Sequence, residues 1–120
     1  MPTEARLQRI AERIREELSE LLLRNLSDPR LRSVFVTDVR VDRELSHADV
    51  FVSALEGSSR SHEVVQGMAS AAGYIRKELA GRVELRAFPR LRFHWDSTPE
   101  HADRIARIIA DLHSKKSGAG

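Results

Sequence analysis

The sequence predicts an α+β fold: a single domain with its elements in the order α-β-β-α-α-β, closed by a C-terminal helix. Three strands would form one sheet, with helices packed on one face. Three observations predict this. Apolar residues recur at helical spacing near both ends of the chain, and two β-branched runs in the first half read as strands. Between them and a basic strand lies a second helical pattern with a small-residue break. At 120 residues, 41% hydrophobic and 32% charged, the chain can build one modest core and not two. The domain is expected to span residues 1–113, with 114–120 a disordered tail.

The first helix follows from Leu7, Ile10, Ala11, Ile14, Leu18, Leu21 and Leu22, an i, i+3, i+4, i+7 stripe over residues 4 to about 25. Glu12, Arg13, Glu16, Glu17 and Glu20 form its solvated face. Asn25 and then Ser27-Asp28-Pro29-Arg30 end it, because a residue before proline is pushed out of the α region. Val34 to Val41 and Ala48 to Leu55 read as strands, and the polar link from Asp42 to His47 makes them a hairpin, with His47 a loop residue. Gly57 to Ser61 is a short connection with Ser61 as helix N-cap.

The next helical pattern, Val64, Val65, Met68, Ala72, Ile75 and Leu79, keeps its period straight through Gly73, yet the stretch Ser70-Ala71-Ala72-Gly73 is unusually bare. Glycine in a helix interior costs about 1 kcal/mol relative to alanine. A kink, or close approach of another molecule, explains that composition; so does a small-residue patch that lets the helix lie close to the sheet. Gly81 stops the helix. A third strand then alternates Val83, Leu85, Ala87, Leu91, Phe93 and Trp95 with Glu84, Arg86, Phe88, Arg90, Arg92 and His94, which gives one apolar and one mostly basic face. Pro89 marks an edge, a bulge or the true start of pairing. Trp95 shares parity with Leu91 and Phe93 and reads as a core anchor. Thr98, Pro99 and Glu100 announce the last helix, whose apolar face is Ala102, Ile105, Ile108, Ile109 and Leu112.

The net charge of +2 conceals a local excess. Residues 74–95 carry six basic side chains, Arg76, Lys77, Arg82, Arg86, Arg90 and Arg92, against Glu78 and Glu84, whereas the segments on either side are neutral or acidic. With no cysteine there is neither a disulfide nor a thiolate metal site, and the five histidines are scattered over different elements, so no metal or other cofactor is expected. No apolar run reaches the roughly 20 residues that span a bilayer, and the chain opens into a charged helix, so a cytoplasmic protein is expected. Phosphate-binding glycine loops, the G-x-S-x-G elbow and the H-E-x-x-H zinc helix are missing, which removes most support for an enzyme.

The element order is that of a KH domain, in which a G-x-x-G loop between two helices clamps a nucleic-acid backbone. More specifically, the chain resembles the ribosome-binding factor A family over residues 3 to about 112. The matching pieces are Arg6 to Leu23 with Asp28-Pro29-Arg30; Val39-Arg40-Val41; Leu45-Ser46-His47-Ala48 leading into Val50-Phe51-Val52-Ser53; Ala71-Ala72-Gly73 with Ile75-Arg76-Lys77-Glu78-Leu79; Leu85-Arg86; and Pro89-Arg90-Leu91-Arg92-Phe93 with Asp96. Ile105 and Leu112 follow in the last helix. The family has a type II KH-like fold with an Ala-x-Gly interhelical kink in place of G-x-x-G, matched by Ala71 and Gly73. Thr98 stands where the family usually has serine, and the tail is short.

The resemblance implies a non-enzymatic assembly factor that binds the immature small ribosomal subunit, acts in late maturation and 5′-end processing of its rRNA, and supports growth in the cold. Its partners would be small-subunit rRNA and neighbouring ribosomal proteins, with a ribosome-associated GTPase promoting release of what is expected to be a monomer. On this reading Ala71, Ala72 and Gly73 give backbone access and Arg76, Lys77, Arg86, Arg90 and Arg92 neutralise phosphates. The alternative is a protein-protein adaptor that works through the hairpin edge or the first helix.

Overall fold

The computed structural model describes residues 2–24 and 27–118. Helix α1 spans Glu4–Leu23, strand β1 Val34–Val41, strand β2 His47–Ala54, helix α2 Ser61–Ala80, strand β3 Arg90–Trp95 and helix α3 Thr98–Gly118. Thr3 caps α1 by accepting the Arg6 N–H at 3.1 Å, and its buried stripe is the predicted one from Leu7 to Leu21 with the addition of Glu17, expected on the solvated face but buried. The expected end at Asn25 lies outside the described residues.

The sheet order is β1-β2-β3, with β2 antiparallel to β1 and parallel to β3. Thr37 is the extra residue where the β1–β2 register shifts between Val36 and Asp38. His47, expected in the loop, is the first residue of β2 and pairs with Arg90. The hairpin is pinned by Asp42, whose carboxylate accepts the Ser46 N–H at 2.7 Å and the His47 N–H at 3.2 Å. The Ser46 hydroxyl beside it, ahead of those backbone donors, helps hold the Asp42 carboxyl down to about 2.

Ala48, Val50, Val52 and Ala54 of β2 point into a core shared with α1, which lies over β1, and α2, which lies over β3. Both helices therefore sit on one face of the sheet, as expected. Arg82 joins them through Glu17, a nearly buried carboxylate 3.4 Å away. Trp95 packs against the core, as its parity predicts.

Three further sequence expectations change. The two helices expected on either side of Ala71-Ala72-Gly73 form one uninterrupted helical element, so among the described residues the order is α-β-β-α-β-α. Val64, Met68, Ile75 and Leu79 are fully buried on both sides of Gly73, and burial of that continuous stripe outweighs the local cost of glycine. Secondly, β3 begins only at Arg90. Residues 83–89 wrap the end of α2, and Phe88, assigned by strand parity to the basic face, is buried with Pro89. Finally, α3 continues through Gly118, so the tail expected to be disordered from Ser114 is helical that far, and residues 119–120 lie outside the described residues.

Candidate nucleic-acid interface

The exposed side of α2 is built from Gln66, Ala69, Ser70, Gly73, Lys77 and Ala80, which recur at helical spacing opposite the buried stripe. Most of these side chains are small, so the backbone around Gly73 is accessible from solvent. A Cβ placed on Gly73 would meet nothing within 4 Å. The reading of Gly73 as a packing patch against the sheet is therefore overturned.

The close-packing glycine is Gly67, six residues earlier. A Cβ there would lie 2.9 Å from Arg30 Cβ and 3.1 Å from Leu31 Cδ2, where the Asp28-Pro29-Arg30 turn crosses the helix. The Asp28 carboxylate braces that turn by accepting the Arg30 N–H at 2.9 Å. Sequence reasoning gave no weight to Gly67, although a glycine beside the buried Met68 was its signal.

Arg76 ties the helix to the basic segment. Its Nη2 donates to the Phe88 carbonyl at 2.7 Å and its Nε to the Pro89 carbonyl at 3.3 Å. The backbone N–H of Arg90 continues the link by donating to the Ser46 carbonyl at 2.9 Å. Arg76 is thus a bracket that holds Arg90 beside the α2 turn carrying Gly73 and Lys77.

Arg92 is also engaged within the fold. Its Nε and Nη2 donate to the two oxygens of Asp49 at 2.9 and 3.0 Å, the fork-to-carboxylate geometry suited to guanidinium. This pairing is the main reason that the Asp49 carboxyl is lowered and the Arg92 guanidinium raised from their ordinary values. His94 Nε2 lies 2.7 Å from the same carboxylate, and its ring stacks on Phe51 at a centroid distance of 5.0 Å. Arg40 covers the Phe51 ring, with its guanidinium carbon 5.2 Å from the centroid.

The eight residues assigned to RNA from sequence therefore divide. Gly73 is open, Ala71 and Ala72 are half-buried beside it, and Lys77, Arg86 and Arg90 are exposed cations with no hydrogen bond or ion pair from their side chains among the described residues. Arg76 and Arg92 have internal partners. The arrangement also brings in Tyr74, 53% exposed next to Gly73. Its phenol ring offers a plane for base stacking; its signal in the sequence was an aromatic off the buried stripe.

A family model described as ribosome-binding factor A matches residues 6–109. The chain is 40% identical over 121 residues to ribosome-binding factor A of Hahella chejuensis, covering 96% of this chain and 90% of that protein. It is 44% identical over 105 residues to the Alkalilimnicola ehrlichii protein of that name, covering 87% and 81%. Its fold is similar to the crystal structure of ribosome-binding factor A from Thermus thermophilus, with a TM-score of 0.67 and 27% identity over 74% of this chain and 93% of that one. It is likewise similar to the Thermus thermophilus coordinates fitted into a cryo-EM map of a complex with the 30S subunit, with a TM-score of 0.61 and 29% identity over 73% and 93%. By sequence and by fold, the chain belongs to the ribosome-binding factor A family.

Proposed function

We propose that this protein is a cytoplasmic, monomeric, non-enzymatic assembly factor that binds the immature small ribosomal subunit through its rRNA. It acts in late maturation and 5′-end processing of that rRNA, supports growth in the cold, and is released with the help of a ribosome-associated GTPase. The observation that carries this reading is the bracket formed by Arg76. It holds a bare, accessible turn of helix next to a basic segment whose Lys77, Arg86 and Arg90 have no internal side-chain partner among the described residues.

Small residues let a phosphodiester backbone come close, and the cations beside them supply the sequence-independent attraction on which nucleic-acid affinity rests. An uninterrupted helix with one exposed glycine lacks the turn of a G-x-x-G loop. Recognition of the shape of a folded ribosomal site fits it better than a clamp on a single strand.

Co-sedimentation with purified immature small subunits tests the proposal. Lys77→Glu, Arg86→Glu and Arg90→Glu together should abolish association while the protein keeps its fold, because none of the three side chains has an internal partner among the described residues. A folded triple variant that co-sediments like the wild type refutes it. Association that survives digestion of the exposed rRNA would favour an adaptor working through the β1 edge or α1.

A further inference from the structure

The side of the sheet turned away from α1 and α2 carries the alternate residues of each strand, because Ala48, Val50 and Val52 of β2 point into the core. Phe51 of β2 lies on that side, between a group from each flanking strand. Arg40 of β1 covers its ring, with the guanidinium carbon 5.2 Å from the centroid. His94 of β3 stacks on it at 5.0 Å, with the two planes 29° apart. Three planar groups from three strands therefore form one row. Because β3 is the edge of the sheet, no strand lies beyond the imidazole, and the His94 side chain is 43% exposed.

Asp49 fixes the outer end of this row. Its Oδ1 lies 2.7 Å from His94 Nε2 and accepts from Arg92 Nε at 2.9 Å, while its Oδ2 accepts from Arg92 Nη2 at 3.0 Å. The carboxylate is thus occupied by its neighbours, and the remaining Nη1 of Arg92 has no bond among the described residues. Arg90, exposed and without an internal side-chain partner among those residues, stands two positions earlier on the same side of the strand. Side chains at i and i+2 of a strand are roughly 6–7 Å apart, which is close to the separation of successive phosphates along an extended polynucleotide.

We propose that this edge of β3 is a second RNA contact that takes one unpaired nucleotide of small-subunit rRNA, an inference that rests on the rRNA-binding reading above. The base stacks on the open side of His94 and lengthens the row, and its flanking phosphates meet Arg92 Nη1 and Arg90. The two surfaces differ in what they take. The Gly73 turn offers close approach and cations to a folded shape, whereas the β3 edge offers a plane to a single base. Every base has a face to stack, so this contact dictates where an unpaired nucleotide lies and not which base it is. Phe51 and Asp49 already hold the imidazole in place, so little side-chain freedom is lost when a base arrives. Arg90 belongs to both surfaces and makes them continuous. An acidic peptide would meet the same two arginines without using the imidazole plane, and the variants below separate the two ligands.

Co-sedimentation titrations of the full chain with purified immature small subunits test this. His94→Ala should bind about tenfold more weakly, the scale of losing one stacked base. The slope of log affinity against log salt should stay unchanged, because a plane and not a phosphate contact has been removed. His94→Phe, which keeps a plane and has no bond to Asp49, should bind like the wild type. Base-specific chemical probing should find one unpaired rRNA nucleotide that the wild type and His94→Phe protect and His94→Ala leaves reactive. If His94→Ala melts early, His94→Leu, which keeps the packing on Phe51 without an aromatic plane, carries the same test. Wild-type affinity in the folded Ala or Leu variant, equal weakening in His94→Phe, a flattened salt slope, or a photoreactive amino acid at position 94 that crosslinks only to ribosomal protein overturns the inference. Wild-type protein that does not bind the subunits overturns the small-subunit reading and this inference with it. Binding lost on charge reversal of Lys77, Arg86 and Arg90 but retained by His94→Ala overturns this inference alone.

Discussion

Gly73→Ala separates stability from function at a single atom. The added Cβ meets nothing within 4 Å, and position 73 lies inside a helix that is continuous from Ser61 to Ala80. Its effect on the free protein is therefore the difference in helix propensity, a gain of about 1 kcal/mol. For a domain of this size that gain corresponds to a rise of about 4 °C in melting temperature. The same methyl stands in the surface proposed to meet the rRNA backbone. Forcing one extra carbon into a close-packed contact costs about 1–3 kcal/mol, so affinity for immature small subunits should fall by about fivefold or more. A thermal melt followed by circular dichroism and a co-sedimentation titration measure the two effects. Higher stability with weaker binding is the expected pair. Higher stability with unchanged binding would show that nothing approaches Gly73, and lower stability would refute the continuous, unobstructed helix.

The other glycine of α2 should behave oppositely: Gly67→Ala places a methyl 2.9 Å from Arg30 Cβ and should destabilise by about 1–3 kcal/mol in a urea titration, despite its better helix propensity. Arg76→Met removes two hydrogen bonds from a charged donor and should cost about 2 kcal/mol. In that variant, amide exchange of residues 88–90 should rise and subunit binding should weaken, even though Lys77 and Arg90 are intact. Asp42 yields a pH prediction. Its carboxyl is lowered from 3.8 to about 2, so its contribution is present above pH 4 and is lost as the pH falls through about 2. Asp42→Ala should therefore cost about 1 kcal/mol at pH 7, after allowance for partial exposure. The gap to wild type should close between pH 4 and pH 2; a constant gap over that range would contradict the role of the charge.

Much of the architecture was legible because it rests on local patterns. The stripe from Leu7 to Leu21 fixed α1 and its buried side, and the β-branched run Val34 to Val41 coincides with β1. At Gly73 the local and longer-range signals conflicted. Propensity asked for a break there, but Met68 and Ile75 are both fully buried and hold the helix together across it. Residues 83–86 do alternate inward and outward, which mimicked a strand, but the pattern breaks where Ala87 is exposed and Phe88 and Pro89 are buried in succession. Strand alternation has no means of showing that Phe88 lies in the core.

The site was legible as a region and not as a set of roles. The excess of basic residues after Gly73 was visible in one dimension, whereas the partners of Arg76 and Arg92 are not. Asp49 is 43 residues from Arg92 and becomes its neighbour only through the parallel pairing of β2 with β3. The Phe88 and Pro89 carbonyls are backbone groups, which a search for acidic residues never finds. Which cations stay free therefore depends on strand register and on how the α2–β3 connection wraps. The glycine that packs and the glycine that is open look alike in sequence for the same reason.

The proposed function requires that the Gly73 turn and its neighbouring cations meet rRNA. The most direct measurement places a photoreactive amino acid at Ser70, exposed on the same side of α2 as Gly73, and maps its crosslinks on purified immature small subunits. Crosslinks to small-subunit rRNA are expected, and they should disappear when Lys77, Arg86 and Arg90 are reversed in charge. Crosslinks confined to ribosomal protein, or an rRNA pattern indifferent to those three charges, would contradict it.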